Sequence, residues 1–396
     1  MREVFIAGVG MTDFGKLKDR DAGSLARAAA ARALADAAVE STLVQMIFFS
    51  NACAGRLIGQ EMIRGQVMLG SSGLEGIPLI NVENACASGS SALFLAWLAV
   101  ASGQCDIALA VGAEKLAVVD KKRTFEALMG GVDVSRIDEL RAKLGLGESE
   151  DRAHSLFMDV YAAMATSYMG RTGATKRDFA LVSAKNHCNG ALNPHAQYRH
   201  EVSVDEVLAS RQISGPLTLL MCAPIGDGAA AAVVCSRSAV RSCRRDLVQV
   251  RGFGLATGRE DANASPVEKA ARVAYEQSGI GPEEIDVIEL HDATAPAELI
   301  IYEELGLCGP GEGPRLLASG ATALGGRVPV NPSGGLLSKG HPIGATGIAQ
   351  IVELVEQLRH QAGRRQVENA QIALAENAGG YLHPHPAAAA VTILSR

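Results

Sequence analysis

The most informative segment of the chain reads Asn81-Val-Glu-Asn-Ala-Cys-Ala-Ser-Gly-Ser-Ser-Ala-Leu93 and carries Cys86 at its centre. A β-type run from Ile77 to Val82 precedes this cysteine, and an apolar helical run from Ala92 to Ala101 follows it. The small residues between them allow a tight turn. Because a helix N-terminus lowers the pKa of a nearby thiol, we expect the thiolate of Cys86 to be favoured. Cys86 is therefore a candidate nucleophile, and a buried structural cysteine is the alternative.

The composition of the 396-residue chain is typical of a compact α/β protein with two domains or two fused halves: 48% of residues are hydrophobic, 4% are aromatic and 43 are glycine. The net charge is −6 without a long block of like charge, which argues against nucleic acid or a membrane surface as a partner. We expect no targeting segment, because the chain opens with a β-type run, and no membrane span. The eight cysteines show neither Cys-x-x-Cys pairs nor zinc-ligand spacing, which predicts free thiols in a reducing cytoplasm and no metal site.

Strand-like and helix-like segments alternate along the first part of the chain. A helix is predicted over Ala22 to Val39 and a buried strand over Asp106 to Glu114. This alternation predicts a layered α/β structure with a largely parallel sheet. Between about residues 115 and 215 the pattern loosens into an inserted loop region. It includes a charge-rich segment from Arg136 to Arg152 and a polar stretch from Lys185 to His195. We expect this insertion to carry substrate and partner contacts, or to be merely a solvated excursion.

The second half of the chain repeats the design of the first. The run from Leu247 to Gly254 repeats the opening strand, and a strand-like run ends at His291. The glycine-rich stretch from Asn331 to Ala349 places His341 just before a long helix, as Cys86 lies before its own helix. The pattern indicates a duplicated α/β unit with halves at 1–240 and 245–396. Each half would contribute one reactive turn to a site at their shared interface.

Four motifs together identify a family resemblance: Asn84-Ala-Cys86-Ala-Ser-Gly, His291-Asp-Ala-Thr294, Gly340-His-Pro-Ile-Gly-Ala-Thr-Gly347 and Asn377-Ala-Gly-Gly380. Their order and approximate spacing resemble the thiolase superfamily over essentially the whole chain. The segment that begins at Ser338 is most similar to the sterol-carrier-protein type of thiolase. The resemblance implies an α/β fold of duplicated halves in five layers, αβαβα, with an inserted loop domain.

The resemblance also implies roles for the site residues. Cys86 would attack a CoA thioester to form an acyl-enzyme, and His341 would activate its thiol. His291 would join them in a Cys-His-His set similar to that of elongating ketoacyl synthases. The backbone N–H groups of Cys86 and Gly379 would form an oxyanion hole. Coenzyme A would be a substrate or product, and no covalently bound cofactor is implied.

Two departures from the family pattern concern the second catalytic cysteine. Ordinary thiolases carry it where this chain has Asn377, and the sterol-carrier type carries it where this chain has Ala293. Neither side chain can shuttle a proton. His291 is the best candidate to compensate, with Glu376 and Asn377 as auxiliary candidates and Tyr381 as a weaker one. For Glu376 a surface position is expected, because glutamate is seldom buried.

Two further histidines, His383 and His385, lie between prolines. Two histidines alone do not complete a tetrahedral metal site, so we expect a loop that shapes the substrate pocket or a partner surface.

The expected function is thiolytic cleavage, or Claisen-type formation, of a β-ketoacyl-CoA through an acyl-Cys86 intermediate. The missing cysteine predicts a non-standard substrate, branched or aryl-substituted, such as a benzoylsuccinyl-type CoA ester. The alternatives are a decarboxylative Claisen acyltransferase and a catalytically weak acyl-CoA-binding subunit of a complex. We expect a homodimer or a dimer of dimers, and the resemblance suggests a small zinc-ribbon/OB-fold partner protein.

Overall fold

A computed structural model describes residues 2–146, 154–242, 246–260 and 262–396. Cys243 and residues 147–152 of the predicted charge-rich segment lie outside these ranges.

The described ranges contain eleven strands and fourteen α-helices. The strands are β1 (Val4–Met11), β2 (Met46–Ser50), β3 (Leu79–Val82), β4 (Ile107–Lys115), β5 (Gln212–Ser214), β6 (Leu217–Thr218), β7 (Asp227–Ser236), β8 (Val248–Thr257), β9 (Val287–Glu289), β10 (Ile372–Gly379) and β11 (Ala388–Ser395). The helices are α1 (Ala22–Ala37), α2 (Ala54–Ile58), α3 (Arg64–Met68), α4 (Ser88–Ala101), α5 (Lys121–Leu128), α6 (Ile137–Lys143), α7 (Leu156–Thr172), α8 (Lys176–Ala191), α9 (Val204–Ala209), α10 (Pro266–Ser278), α11 (Ala295–Glu304), α12 (Gly313–Ala318), α13 (Gly335–Lys339) and α14 (Ile343–Leu358).

Nine strands form one continuous mixed sheet in the order β3-β2-β4-β7-β1-β8-β11-β10-β9. The prediction of a largely parallel sheet is wrong, because only β2–β3, β2–β4 and β9–β10 pair in parallel. After the long excursion, β7 enters antiparallel between β1 and β4, and β11 returns antiparallel beside β10. The two halves join edge to edge where Phe5 pairs with Gln249 and Ile6 with Val248.

Helices cover both faces of this sheet and give the five layers that were predicted. Helix α1 packs on β1, β4 and β7, while α10 packs on β8 and β11. Helices α4 and α14 contact each other and lie between the two halves of the sheet, where they contact β4, β7 and β10. Alternate residues of β7 enter different cores: Ala232 and Val234 face α4 and α14, and Ala231 and Val233 face α1. Strands buried on both faces explain why the sequence reads as continuous apolar runs.

The predicted insertion between β4 and β7 is mainly helical within its described residues and contains α5 to α9. Its polar stretch starts as the last turns of α8, where Asn186 and His187 are fully buried. Lys185 of the same stretch forms an ion pair with the buried Glu298 of α11, at 2.8 Å. The insertion therefore packs against the C-terminal half. Among the described residues, no helix has the length and apolar composition needed to cross a membrane.

Candidate active site

The predicted sharp turn at Cys86 is present in the structure. Ala85 takes a left-handed backbone conformation, with φ 48°, immediately before the cysteine. The N–H of Ala87 donates to the carbonyl of Asn84 at 3.0 Å, and α4 begins one residue later. A Cβ at Gly379 would lie 2.4 Å from that same carbonyl oxygen. Only glycine therefore lets the end of β10 lie directly against the turn at Cys86.

Two histidines from the second half of the chain reach this turn. His291 follows β9, and His341 lies between α13 and α14. The Cys86 sulfur and one ring nitrogen of each histidine all lie within 4.8 Å of one another. The two rings have their centroids 5.0 Å apart and their planes at 75°. Asp292 ties the two histidine segments together, because its carboxylate accepts the N–H of Leu336 in α13 at 2.7 Å.

The hydrogen bonds of His341 define its tautomer. The hydroxyl of Thr346 donates to the carbonyl of Pro342 at 3.1 Å, so it accepts from Nδ1–H of His341 at 2.7 Å. Nε2 of His341 consequently carries a free lone pair. Nε2 is buried and has no protein partner within the described ranges, and the same holds for Nε2 of His291. A buried nitrogen without a hydrogen-bond partner destabilises the fold, so such a group usually has a functional reason.

The pKa of the Cys86 thiol is higher than the sequence led us to expect. Burial raises the pKa of Cys86 to about 12, and the N–H groups of Gly380 and Cys86 lower it only partly. The prediction that the helix N-terminus favours the thiolate is therefore wrong, since desolvation of the charged form outweighs the dipole. Burial also lowers the pKa of His291 to about 4 and that of His341 well below its ordinary value. All three groups are neutral near pH 7, so Cys86 needs a base before it can attack.

The structure directs the N–H of Gly380 toward the Cys86 sulfur, together with the N–H of Cys86 itself. The sequence motif had pointed to Gly379 for this role, and that role stays a prediction. Gly379 is the last residue of β10 and Gly380 follows it, so the two assignments differ by one residue.

The auxiliary candidates differ in where they lie. Glu376 is fully buried, contrary to the expected surface position, and its carboxylate accepts the N–H of His291 at 2.9 Å. Burial raises the pKa of Glu376 to about 8. Asn377 lines neither cavity at Cys86, whereas its neighbour Ala378 does. The hydroxyl of Tyr381 lies 3.0 Å from Nδ1 of His383, and Tyr381 borders the smaller of these cavities.

Two cavities border Cys86. The larger one has a volume of about 290 Å³ and is lined by Cys86, His341 and mostly apolar residues. Ala293, which replaces the cysteine of the sterol-carrier type, lies in its wall. The smaller one, about 30 Å³, contains His291 and the end of β10. Both cavities are lined by Cys86, Phe157 and Tyr161.

Sequence reasoning missed two residues at this site, Glu114 and Tyr161. Glu114 is fully buried and accepts N–H bonds from Ala52, Cys53 and Gly344, so it joins the β2 loop to the start of α14. Its pKa is raised by burial to about 7. The sequence signal for Glu114 was a carboxylate near the end of the otherwise apolar run that forms β4. Tyr161, on α7, carried no motif that would have identified it.

The Cys86, His291 and His341 side chains are also the only group of three adjoining metal-type ligands among the described residues. A thiol and two neutral imidazoles are equally the groups that proton transfer at a thioester requires. We therefore assign no metal to them.

Family models match both halves of the chain. The thiolase N-terminal domain matches residues 4–238, and the thiolase C-terminal domain-like model matches residues 255–396. The chain belongs to the thiolase family. It is a thiolase-like acyltransferase.

The known relatives of this thiolase extend along nearly its whole length. Sterol carrier protein 2 of Homo sapiens is 39% identical in an alignment that covers 96% of this chain and 70% of the relative. Benzoylsuccinyl-CoA thiolase subunit BbsB of Thauera aromatica is 38% identical, over 96% of this chain and 95% of the relative. Among solved structures, the Ltp2-ChsH2(DUF35) aldolase is similar with a TM-score of 0.81 and 26% identity, over 99% of this chain and 97% of that one. The predicted family and its sterol-carrier-type resemblance are confirmed.

Proposed function

We propose that this thiolase cleaves or forms a β-ketoacyl-CoA through an acyl-Cys86 intermediate, with coenzyme A as substrate or product. The observation that carries the proposal is the cluster of the Cys86 sulfur with one nitrogen each of His291 and His341, within 4.8 Å. A cysteine next to a base is the arrangement that nucleophilic catalysis needs.

In the acylation step, Nε2 of His341 takes the thiol proton while the Cys86 sulfur attacks the acyl carbon. The negative charge moves to the former carbonyl oxygen, which the N–H groups of Cys86 and Gly379 or Gly380 stabilise. His341 then carries Nε2–H, and this group donates to the oxygen of an enolate. His291 lies beside it and stabilises the same charge.

The proposed substrate is a branched or aryl-substituted β-ketoacyl-CoA of the benzoylsuccinyl-CoA kind. A cavity of about 290 Å³ with a mainly apolar wall supports a bulky acyl group next to Cys86. One relative carries benzoylsuccinyl-CoA in its name, which supports the same class.

The Cys-His-His geometry favours a second candidate, decarboxylative Claisen condensation, because two histidines can jointly stabilise an enolate oxygen. A free-CoA-dependent cleavage assay on His291→Ala separates the two. Unchanged thiolysis in this variant removes His291 from the enolate site.

We further propose that the chain works with a small partner protein and assembles as a homodimer or a dimer of dimers. Each chain would consist of two halves, at residues 1–240 and 245–396. The name of one relative calls it a subunit, and the name of the similar aldolase contains a second component, ChsH2(DUF35). If no partner is required, the purified chain alone will turn over at full rate, and co-purification will recover no companion.

Mass spectrometry tests the proposed function directly. Incubation with acetyl-CoA, succinyl-CoA and an aryl-bearing acyl-CoA is expected to leave an acyl group on the Cys86 peptide. The same incubation of Cys86→Ser provides the control. No adduct with any thioester would support the remaining alternative, a catalytically weak acyl-CoA-binding subunit, and contradict acyl transfer.

A further inference from the structure

Tyr161 holds a position at the site that the catalytic scheme above does not use. Its side chain lines both cavities that border Cys86, and it lies one helical turn after Phe157 on the same face of α7. The ring is half-buried. A substrate bound in either cavity next to Cys86 therefore lies against this tyrosine.

The hydroxyl of Tyr161 makes no hydrogen bond to another residue in the described part of the chain, unlike most tyrosines here. The hydroxyl of Tyr168 donates to Glu303 at 2.5 Å, that of Tyr275 donates to the carbonyl of Leu305 at 2.8 Å, and that of Tyr302 donates to Glu298. Tyrosine hydroxyls in such surroundings normally find a partner. An unpaired hydroxyl in the cavity wall next to the nucleophile is available to the substrate.

In the proposed reaction, no group has yet been assigned to protonate the carbon of the thioester enolate. Both positions at which the family carries its second cysteine are occupied by groups without a transferable proton, and the cavity wall there is Ala293 and Ala378. His341 holds the thiol proton, and His291 faces the enolate oxygen in the scheme above. Ser155 also offers a hydroxyl, but it lines only the larger cavity. Among the described residues, Tyr161 is therefore the one side chain with an unbonded neutral O–H that lines both cavities next to Cys86.

We propose that the Tyr161 hydroxyl is the catalytic proton donor to the enolate carbon, in place of the second cysteine. This assignment rests on the proposed acyl-Cys86 function. Burial raises the pKa of Tyr161, so the hydroxyl retains its proton until an enolate forms. The carbon of a thioester enolate is a far stronger base than a phenolate, which makes the transfer favourable.

The proton balance of cleavage closes with the groups already named. The carbon–carbon bond breaks as Cys86 gains the acyl group, and its electron pair passes to the departing thioester as an enolate. Tyr161 protonates the enolate carbon and becomes a phenolate. The phenolate takes the thiol proton of incoming CoA, and the CoA thiolate attacks acyl-Cys86. Cys86 leaves as a thiolate and recovers the proton held by His341.

Hydrogen–deuterium exchange at the α-carbon of acyl-CoA tests this assignment, because it uses the same proton transfer in both directions. The Tyr161 phenolate takes an α-hydrogen to form the enolate, and the hydroxyl, after it has exchanged with D₂O, returns a deuterium to the carbon. We would incubate acetyl-CoA, propionyl-CoA and succinyl-CoA with enzyme in D₂O and measure deuterium uptake by mass spectrometry. Tyr161→Phe is expected to slow exchange by about 100-fold. Acylation of Cys86 should be retained, and the melting temperature should not change, because no hydrogen bond within the described chain is lost. Ala293→Cys in the Tyr161→Phe background is expected to restore part of the exchange.

Tyr275→Phe is the matched control, since its hydroxyl is bonded and lies on α10, in the outer layer. It should lower the melting temperature and leave exchange unchanged. Exchange that is unchanged in Tyr161→Phe, or slowed only as much as acylation, overturns the assignment. So does a wild type that acylates Cys86 without exchanging any of the three thioesters. Absence of acyl-Cys86 in the wild type would instead defeat the proposed function, so the two failures are distinct.

Discussion

The protonation state of Cys86 leads to a quantitative prediction about its reactivity toward iodoacetamide. Burial raises the pKa of this thiol from 9.0 to about 12. The reacting species is the thiolate, so at pH 8 its fraction is about 1000-fold smaller than for an ordinary cysteine. The imidazole of His341 does not compensate in the resting enzyme, because its own pKa is lowered. We therefore expect the alkylation rate of Cys86 to rise about tenfold per pH unit from pH 7 to pH 10.

Peptide mass spectrometry after timed alkylation measures this rate, with the exposed Cys188 as an internal reference. The slope of the alkylation rate against pH tests the predicted protonation state of Cys86. Limited access to the cavity lowers the rate by the same factor at every pH and therefore leaves the slope unchanged. His341→Ala is expected to keep the same slope while acylation by acyl-CoA collapses. A plateau below pH 8 in the wild type that disappears in His341→Ala would reveal a resting thiolate–imidazolium pair and refute this reasoning.

The buried polar groups give further predictions. Glu376→Gln should flatten the pH dependence of stability: because its pKa is raised, the contribution of Glu376 to folding stability is fully present below about pH 4.5 and is lost as the pH rises through about 8. At about 1.4 kcal/mol per pKa unit, that interval corresponds to on the order of 5 kcal/mol as an upper bound, measurable by urea unfolding at pH 5 and pH 9; equal pH profiles would contradict it. Thr346→Val removes the acceptor of His341 Nδ1–H and should reduce acylation about tenfold and lower the melting temperature, because a buried donor loses its partner; unchanged acylation would show that this bond does not set the tautomer. Gly379→Ala should abolish a stable fold of the nucleophile turn, because its Cβ would meet backbone at 2.4 Å; a soluble, fully active variant would exclude this close approach.

The fold was predictable because its signals are local and repeated. The apolar run of β4 marked a strand buried on both faces, and the second glycine-rich turn before α14 indicated the duplication. The direction of strand pairing was not predictable in the same way. It depends on which strands meet after the long excursion between β4 and β7, and hydrophobic periodicity carries no information about that choice.

The residues of the site were predicted from the sequence, but the pKa values and the burial of their side chains were not. Cys86, His291 and His341 were identified by motifs, and the structure brings them together. The pKa of the thiol could not be predicted from the turn, because the helix dipole acts locally whereas desolvation comes from residues far away in sequence that pack around Cys86, such as Leu116 and Ile343. Glu376 was expected at the surface on frequency alone, but its partner, the N–H of His291, becomes its neighbour only in the folded chain.

The distribution of the catalytic set over the two halves has a consequence for biosynthesis. The nucleophile turn is made early in translation, and both histidines are made much later. An unfinished chain therefore presents a thiol that lacks its base and its oxyanion donor from β10. In the proposed acyl-Cys86 mechanism, such a chain captures no acyl group from the cellular pool of CoA thioesters. The enzyme would become acylation-competent only when α14 has docked against α4 and the last strands have paired.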